Sequence, residues 1–570
     1  MEIHKKKVIQ LLETIAVYME LKGENPFKIS AFRKAANALE KDDRSLSHIH
    51  DFTTISGIGK GTSSVIKEFI ETGRSEVLDS LKKEVPEGLI SLLELPGLGG
   101  KKISKLYHQL GVHDLETLKK ACEDKKVQKL PGFGFKTEEK ILAAINELGA
   151  RPERLPIAYM LPIAEKIEQY VKECKDVLQL SRAGSLRRCK ETIKDLDFII
   201  ATKNPEIVRE HLLALPNMEE IIANGDTKIS LHLHEDVPVN VDFRLVEPHA
   251  FATALHHFTG SKEHNVRIRQ LAKERGEKIS EYGVENIQTG EVKTFQTEHQ
   301  LFQHFSLPFI PPELREDGTE VECYQGGLIH LRDIKGDLHM HSTWSDGAYS
   351  IREMAEACRK KGYQYMAITD HSQYLKVANG LTRERLKAQA EEIEQLNKEF
   401  SDFTILKGVE MDILPDGTLD YPDGVLKELD FVIASIHSSF HQSQDIIMKR
   451  LIQALKNHHV DMIAHPTGRL IGKRNGYDVD IDMLIKLAKE TDTILELNAN
   501  PNRLDLCAEY LKKAQEHGVK IAINTDAHSL EMLEHMTIGV STAIKGWIRR
   551  ENVVNTWELN KLRSYLAKKK

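Results

Sequence analysis

The sequence has few cysteines and no long hydrophobic segment. Its six cysteines are spread over 570 residues without a Cys-x-x-Cys pair, which argues against a disulfide-stapled fold and against a cysteine-type zinc site. No apolar run reaches the ~18 residues that a membrane-spanning helix needs, and the N-terminal segment mixes charged and apolar residues at helical spacing instead of forming a signal-peptide core. We therefore expect a cytoplasmic protein.

The sequence also lacks a strong charge of one sign. Its formal net charge is −7, and residues 1–150 contain 24 Lys and Arg against 22 Asp and Glu, a difference of only +2. Any contact with nucleic acid must therefore come from local motifs and not from a bulk basic field. With 41% hydrophobic and 29% charged residues, the composition is that of a globular protein. At roughly 150 residues per domain, the length predicts about four domains.

A Gly-x-Gly segment occurs three times in the first 140 residues, each time before a helical stretch and with a lysine close behind. Glycine permits a tight turn, and the turn leaves the first N–H groups of the next helix free to bind a phosphate. One copy would more simply be a turn between helices, but three copies favour phosphate binding. The pattern resembles helix-hairpin-helix elements, which hold the DNA backbone without reading its sequence. The six glycines are Gly57, Gly59, Gly97, Gly99, Gly132 and Gly134.

Three aspartates in the middle of the chain predict a site for divalent cations. Asp195 and Asp197 begin a strand-like run and share one face, because successive side chains of a strand alternate. Asp242 lies on the polar face of a second alternating run. Three carboxylates suit hard cations such as Mg²⁺. Two ions ~3.5–4 Å apart could activate an attacking hydroxyl and stabilise the leaving oxygen of an in-line phosphoryl transfer.

A segment upstream of these aspartates predicts a phosphate-binding turn. Gly184, Ser185 and Arg188 follow a strand-like run and open a helix. Backbone N–H groups, the serine hydroxyl and a guanidinium could together hold a triphosphate. An isolated Asp-x-Asp is usually a turn or a solvated strand edge, but its combination with this turn and with Asp242 favours a nucleotide-binding site.

These residues resemble the nucleotidyltransferase core of family X DNA polymerases, the polymerase beta type. In that family the three aspartates bind both catalytic ions, and the resemblance continues over residues 257–269. It implies that Phe258 and Gly260 lie against the sugar of the incoming nucleotide. It also implies that Asn265 contacts the base edge of that nucleotide and that Arg269 meets the template strand.

Three positions depart from the animal members of this family. His257 replaces a tyrosine beside the sugar, Asn240 replaces an arginine near the third aspartate, and Val65 stands where the family has a Schiff-base lysine that removes deoxyribose phosphate. We therefore expect sugar selection and activation of the primer hydroxyl to be arranged differently. A valine cannot form a Schiff base, so residue 65 cannot supply lyase chemistry.

Beyond residue 333, apolar strand-like runs alternate with amphipathic helices, which predicts a barrel of parallel strands. Several runs end in a metal-capable side chain, and chemistry in such barrels collects at the C-terminal ends of the strands. A single histidine in an apolar run is more often a core residue, but nine ligand types at successive strand ends suit two or three ions. The nine are His339, His341, Asp346, His371, Glu410, His437, His465, Asp526 and His528.

This half of the chain resembles the PHP (polymerase and histidinol phosphatase) superfamily, a distorted seven-stranded barrel with a trinuclear metal site. The resemblance implies that the ions bind phosphate oxygens and activate water for phosphoester hydrolysis. Because all nine ligand positions are filled, we expect an active domain and not a degenerate one. Asn498 and Arg503 are candidates for phosphate binding, with a plain Asn-Pro turn as the equal alternative.

The two resemblances together cover nearly the whole chain and match bacterial family X DNA polymerases. The expected fold class is multidomain, with an α-helical helix-hairpin-helix N-terminal region, an α/β nucleotidyltransferase palm, an α+β thumb and a C-terminal distorted (β/α)7 PHP barrel. The polar run 315–318 has no apolar residue to bury and predicts the end of the thumb. The predicted segments are 1–85 (gap or DNA binding), 86–150 (helix-hairpin-helix fingers), 151–248 (palm), 249–316 (thumb), 317–332 (linker) and 333–570 (PHP phosphoesterase).

We expect a template-directed DNA polymerase that fills short gaps during base excision repair and carries a metal-dependent 3′–5′ exonuclease in its PHP domain. The expected cofactors are two ions of Mg²⁺ or Mn²⁺ in the palm and two or three ions of Mn²⁺ or Zn²⁺ in the barrel. The expected partners are gapped or primed DNA and dNTPs, bound by a monomer. Two alternatives remain: a DNA-binding PHP phosphoesterase with an inactive polymerase core, and a non-templated nucleotidyltransferase.

Overall fold

The computed structural model describes residues 5–42, 46, 49, 51–86, 88–95, 98–149 and 153–568. The chain forms two compact units, which are residues 1–153 with 373–381 and residues 154–372 with 382–570. Gly97, one of the glycines predicted to contact DNA, lies outside the described residues. None of the helices described is long and apolar enough to cross a membrane.

The first unit is helical throughout its described part. The apolar faces of its helices pack into two clusters, one reaching from Val8 to Leu81 and the other from Leu21 to Ile145. The helices are α1 (Lys5–Lys22), α2 (Pro26–Lys41), α3 (Lys60–Thr72), α4 (Glu76–Glu84), α5 (Gly88–Ser91), α6 (Gly100–Leu110), α7 (Leu115–Glu123) and α8 (Phe135–Gly149).

Polar caps set where several of these helices begin. The Asn25 side chain accepts a hydrogen bond from the backbone N–H of Phe27 at the start of α2, and Asp114 and Thr117 form a reciprocal capping box on α7. Such caps satisfy N–H groups that have no partner within the helix. Val65 lies on the buried face of α3, where it is 6% exposed and part of the first apolar cluster.

The second unit begins with a five-stranded sheet of order β2-β4-β7-β6-β5, in which only β4 and β7 are parallel. One face of the sheet shares an apolar cluster with α9 and α11, which leaves the alternate polar residues of β4 and β7 on the other face. The elements are β1 (Leu155–Pro156), α9 (Ile157–Lys172), β2 (Gln179–Arg182), α10 (Gly184–Arg187), β3 (Thr192–Ile193), β4 (Asp195–Ala201), α11 (Pro205–Leu213), β5 (Met218–Asn224), β6 (Lys228–Leu233) and β7 (Val239–Val246).

A smaller region of helices and a three-stranded antiparallel sheet, of order β10-β9-β8, follows the five-stranded sheet. Its apolar cluster includes Ile268, Phe302 and Leu314. The elements are α12 (Phe251–Thr259), α13 (Lys262–Glu274), β8 (Glu277–Ser280), β9 (Gly283–Asn286), β10 (Val292–Lys293), α14 (Glu298–His304) and α15 (Glu320–Cys323).

Arg315 differs from the expectation that the polar run 315–318 has nothing to bury, because its side chain is completely buried. Arg315 Nη1 and Arg187 Nη2 each donate to one carboxylate oxygen of Glu298 at 2.6 Å, and Arg315 Nε donates to the Ile310 carbonyl. Burial alone would raise the pKa of Glu298, but the two guanidinium groups lower it below its usual range. A buried charge is tolerated here because it is paired and hydrogen-bonded.

The C-terminal region confirms the predicted barrel. Seven strands run parallel in the order β11-β12-β13-β14-β15-β16-β17, and a parallel bridge between Met340 and Ala527 joins the segments that follow the first and last strands. The strands are β11 (Gly336–Asp337), β12 (Tyr365–Ile368), β13 (Thr404–Asp412), β14 (Phe431–Ser435), β15 (Met462–Ile463), β16 (Ile494–Asn498) and β17 (Ile521–Asn524). The helices are α16 (Ile351–Lys360), α17 (Arg383–Glu399), α18 (Asp423–Leu426), α19 (Gln444–Lys456), α20 (Ile481–Glu490), α21 (Ala508–Glu516), α22 (Met536–Lys545) and α23 (Leu559–Ala567).

Replacing Glu298 by alanine should destabilise the second unit by about 3–5 kcal/mol, because it leaves the buried Arg315 guanidinium without its carboxylate. Urea unfolding followed by tryptophan fluorescence tests this, since Trp547 packs against the same apolar cluster. The matched control is Glu291→Ala, which removes an exposed glutamate and should leave the free energy of unfolding unchanged. If Glu298→Ala had the same free energy of unfolding as the wild type, the buried pair would not stabilise the second unit as claimed.

Candidate active sites

The three aspartates of the five-stranded sheet lie on the polar face of two parallel strands. Asp197 in β4 is directly opposite Asp242 in β7, and Asp195 precedes Asp197 by two residues on the same face. Ser230 Oγ donates to Asp242 Oδ1 at 2.6 Å, and Lys228 Nζ lies 2.9 Å from Asp242 Oδ2. Two polar residues of β6 thus pair with the third carboxylate in this structure.

The electrostatics of this cluster favour a cation. Burial, together with the carboxylates of Asp195 and Asp242, raises the pKa of Asp197 to about 7, although Arg188 and Arg244 oppose the shift. Divalent cations would relieve this repulsion and keep all three groups ionised. Within the described part of the chain, sets of three or more ligand atoms within 4.8 Å of one another occur only in the barrel. Binding of one ion by all three aspartates therefore requires side-chain rotation, with Asp242 turning from Lys228.

The turn at Gly184 is shaped by the same aspartates. Gly184 has φ +57°, and a Cβ there would lie 2.0 Å from Asp197 Oδ2, so only glycine lets the turn approach the carboxylate so closely. The Arg188 guanidinium donates through Nη1 to the carbonyl of Thr259, and a Cβ at Gly260 would lie 3.2 Å from that Nη1. The turn predicted to grip phosphate is thereby joined to the end of α12.

The remaining residues predicted to bind nucleotide or template lie on α12 and α13. The Arg244 guanidinium stacks 4.7 Å from the centre of the Phe258 ring, which fixes the ring beside the polar face of β7. Asn265 Nδ2 donates to the carbonyl of His257 at 2.7 Å, and its Oδ1 is buried without a hydrogen bond among the described residues. Arg269 is exposed, as a residue that meets a DNA strand would be.

The nine ligand-type residues of the barrel converge at the C-terminal ends of its strands. Glu410 of β13 lies at their centre, with one or other of its carboxylate oxygens 3.0–3.5 Å from a ring nitrogen of each of five histidines. Asp346 Oδ1 and Asp526 Oδ1 lie 3.2 Å from His528 Nε2 and His341 Nε2, respectively. The five histidines around Glu410 are His339, His341, His371, His437 and His465.

The chemistry of this cluster fits metal ions. Ligand atoms of His339, His341 and Glu410 are buried without an acceptable hydrogen bond in the described structure, and ions would satisfy them. Burial, with His528 and His371 nearby, lowers the pKa of His341 to about 3, so its imidazole is neutral and able to coordinate. Burial opposes protonation of His437 as well, but Glu410 and Asp412 raise its pKa to about 10. The proton on His437 balances the negative charge of Glu410 and Asp412, which a metal ion would otherwise balance.

Two buried carboxylates behind the ligands were not predicted from the sequence. Glu496 Oε1 lies 2.7 Å from His339 Nδ1, and Glu496 Oε2 accepts a hydrogen bond from the backbone N–H of His465. Asp412 Oδ1 lies 3.2 Å from His437 Nδ1. Such partners fix the tautomer and orientation of a ligating imidazole. Glu496 stands between two leucines of β16, which is a signal that could have identified it, whereas Asp412 ends β13, a strand that also contains Glu410, and has no such signal.

The described Gly-x-Gly turns each lead into a helix, as predicted. Gly57 and Gly132 have φ +106° and +89°, conformations that favour glycine. Gly59 and Gly99 are the N-caps of α3 and α6 without a side-chain cap. No described atom lies within 4 Å of a Cβ built on Gly59, Gly99, Gly132 or Gly134. Internal packing therefore does not require glycine at these four positions, and the free space suits the approach of an external backbone.

Comparison with known proteins identifies four regions of the chain and its family. Family models match residues 3–75 (helix-hairpin-helix domain), 89–147 (SAM-like helix-hairpin-helix tandem), 254–316 (DNA polymerase beta thumb) and 337–526 (PHP domain). The chain is 66% identical over 568 residues to the DNA polymerase/3′–5′ exonuclease PolX of Bacillus subtilis (strain 168), covering 99% of this chain and 100% of that protein. This chain belongs to the PolX family of bacterial family X DNA polymerases.

This PolX family member also resembles shorter proteins. The chain is 36% identical over 246 residues to a probable phosphatase of Thermoanaerobacter sp. (strain X514), covering 41% of this chain and 95% of that protein. A probable phosphatase of Caldanaerobacter subterraneus is 32% identical over 256 residues, covering 43% of this chain and 95% of that protein. The family resemblance and the multidomain fold class predicted from the sequence are confirmed.

Asn498 and Arg503 lie beside a predicted metal ligand in this PolX family member. Asn498 Nδ2 donates to Asp526 Oδ2 at 3.0 Å, and Arg503 Nε lies 3.9 Å from the same oxygen. The two side chains orient Asp526, and Arg503 adds positive charge where a phosphate would meet the ligand cluster.

Replacing Gly59 and Gly99 together by alanine should weaken binding of gapped DNA by at least ~10-fold, because the methyl groups occupy space that two DNA phosphates need to reach the helix N-termini. The φ angles of these residues, −88° and −94°, allow alanine, so folding should be unaffected. Fluorescence anisotropy at two salt concentrations measures the affinity and its salt dependence.

The matched control for this variant is Gly424→Ala on α18, where an added Cβ also meets no described atom and where we expect no change in DNA affinity. Wild-type affinity of the double variant would show that the turns do not carry the DNA contacts.

Proposed function

We propose that this protein is a template-directed DNA polymerase that fills short gaps during base excision repair and degrades 3′ ends with a metal-dependent exonuclease in its PHP barrel. The observation that carries the proposal is the presence, in one chain of a polymerase–exonuclease family, of two separate groups of residues that could hold metal ions. One lies on β4 and β7, where Asp197 faces Asp242. The other surrounds Glu410 in the barrel.

In the polymerase reaction, Asp195, Asp197 and Asp242 would hold two Mg²⁺ or Mn²⁺ ions. These ions supply charge stabilisation for attack of a primer hydroxyl on the α-phosphate of a dNTP. The turn that begins at Gly184 presents N–H groups to the triphosphate, and Arg188 supplies a guanidinium beside it. Phe258 and Gly260 would lie against the sugar, and the free Oδ1 of Asn265 would accept a hydrogen bond from the base edge of the incoming nucleotide.

In the exonuclease reaction, the nine barrel residues would hold two or three ions of Mn²⁺ or Zn²⁺. These ions supply an activated water and neutralise charge on the scissile phosphate. Glu410 would help to hold these ions with both of its oxygens, which face different histidines. Glu496 and Asp412 keep the imidazole nitrogens of His339 and His437 aimed inward.

The helix-hairpin-helix turns support non-specific binding of the DNA backbone in this proposal, because backbone N–H groups at helix N-termini contact phosphates and not base edges. The partners proposed are gapped or primed DNA and dNTPs, with the exposed Arg269 on the template strand. We further propose that the protein is a cytoplasmic monomer, as expected from the sequence.

Two alternatives are separated by one assay. Primer extension on gapped DNA with each dNTP supplied singly gives additions that follow the template base only if the enzyme is templated. A non-templated nucleotidyltransferase would add nucleotides without regard to the template. A PHP phosphoesterase with an inactive polymerase core would shorten the primer and never extend it, in which case the proposed polymerase function is wrong.

Replacing Asp242 by alanine or asparagine should lower nucleotide incorporation at least ~10³-fold, because a carboxylate that holds metal ions and stabilises charge in the transition state is lost. Exonuclease activity should persist. The matched control is Asp226→Ala, which removes an aspartate that is almost fully exposed and should leave both activities intact. Normal primer extension by the Asp242 variants would remove this residue from the site.

Replacing both His339 and His341 by alanine should abolish 3′-end degradation while gap filling persists, because two imidazoles proposed to hold the ions are removed. Degradation of labelled single-stranded primers measures the effect, and His517→Ala, a change at an exposed barrel histidine, serves as the control. A double variant that still shortens primers, in enzyme free of contaminating nuclease, would place the exonuclease elsewhere.

A further inference from the structure

Helix α22 of the PHP barrel packs directly on the turn that follows the proposed triphosphate grip. Lys545 Nζ donates to the backbone carbonyl of Arg188 at 3.2 Å, and Cys189 Sγ lies 3.7 Å from Thr542 Oγ1. Thr542 and Lys545 are three residues apart and lie on the same face of the helix. Cys189 is 4% exposed, so the turn and this helix face are buried against each other.

Glu316 joins the same turn to Lys545. Its Oε1 lies 2.5 Å from Lys545 Nζ and 3.8 Å from Arg188 Nε, and its Oε2 lies 2.5 Å from Lys190 Nζ. Burial alone would raise the pKa of Glu316, but the two lysines lower it, so the carboxylate is ionised. Lys545 Nζ also lies 3.4 Å from the Glu313 carbonyl. The ammonium group of Lys545 thus contacts both the segment that contains Glu313 and Glu316 and the turn that contains Arg188.

These contacts leave Arg188 held from two sides. Its guanidinium donates to the Thr259 carbonyl, and its own carbonyl accepts from Lys545. Its Nε atom is buried and forms no hydrogen bond in the described structure. The side chain is therefore positioned by its neighbours and still has donor capacity for an anion.

Helix α22 is also packed closely on the barrel through Gly539. A Cβ at Gly539 would lie 2.5 Å from Ala499 Cβ and 2.8 Å from Ile523 Cγ2, so the helix approaches the ends of β16 and β17 as closely as glycine allows. Close-packed elements transmit position because they cannot shift without losing contacts. The position of Lys545 relative to the palm is therefore fixed by the barrel core.

We propose that Lys545 of the PHP barrel is a positioning residue for nucleotide binding in the polymerase palm, acting through Glu316 and the backbone of Arg188. This inference rests on the proposed polymerase function. Lys545 touches neither substrate nor metal ligands and affects incorporation only by holding Arg188 where the triphosphate binds. The PHP barrel is then a structural part of the polymerase site as well as a nuclease.

Replacing Lys545 by methionine tests the proposal in the full-length protein, because methionine keeps much of the side-chain volume and removes the charge. We expect the KM for dNTP to rise ~10-fold while kcat changes less than ~2-fold, since the lost interaction concerns binding of the nucleotide and not the reacting groups. Lys545→Arg retains a donor and should restore most of the affinity. Glu316→Gln should also raise KM, and the double variant Glu316→Gln/Lys545→Met should show less than the product of the two single effects.

Exonuclease activity on single-stranded primer should be unchanged in the Lys545 and Glu316 variants, which separates a positioning role from misfolding. The control Lys513→Met on α21 removes a surface ion pair with Asp482 of α20 and should leave KM unchanged. An unchanged KM in Lys545→Met would overturn the proposal, and so would a parallel loss of kcat, exonuclease activity and thermal stability that arginine does not rescue. A wild-type enzyme that incorporates no dNTP would instead refute the proposed function itself.

Discussion

Carboxylates gathered in one place need positive charge nearby, and both candidate sites of this protein depend on that requirement. On β4 and β7 three aspartates share one face of a sheet, and one of them has its pKa raised to about 7 by burial and by its neighbours. In the barrel, Glu410 is surrounded by five histidines, and Asp346 and Asp526 add further charge. Neither group of carboxylates would be stable in purely apolar surroundings. The protein around each site must therefore provide positive side chains or leave room for cations.

The folds solve this in different ways. In the palm, Lys228 pairs with Asp242, while Arg188 and Arg244 face Asp197, so the protein itself provides part of the positive charge. In the barrel, carboxylates and imidazoles balance each other, which raises the pKa of His437 to about 10. Divalent ions would take over this balance in both places, and the same positive charge would then stabilise the phosphate in transit. The positive charge that stabilises each group of carboxylates would thus also support catalysis.

Much of the candidate chemistry could be predicted from the sequence because it follows short-range rules. The period of a strand put Asp195 and Asp197 on one face, and the rule that barrel chemistry collects at strand ends identified the nine barrel residues. Long-range pairings were beyond these rules. The contact of Lys545 with Arg188 joins residues 357 apart in the chain, and Arg315 is buried only because Glu298 lies beside it. Glu496 and Asp412 were missed for a related reason: their partners come from other strands of the barrel.

The central claim is that both clusters bind divalent ions in the same chain, and anomalous X-ray diffraction from crystals soaked in Mn²⁺ and a non-hydrolysable dNTP analogue tests it most directly. Our account predicts anomalous peaks beside Glu410 in the barrel and between Asp195, Asp197 and Asp242 in the palm, with the palm aspartates drawn together and Asp242 turned from Lys228. Peaks in the barrel alone, with Asp242 still paired to Lys228 and nucleotide bound in the palm, would contradict it.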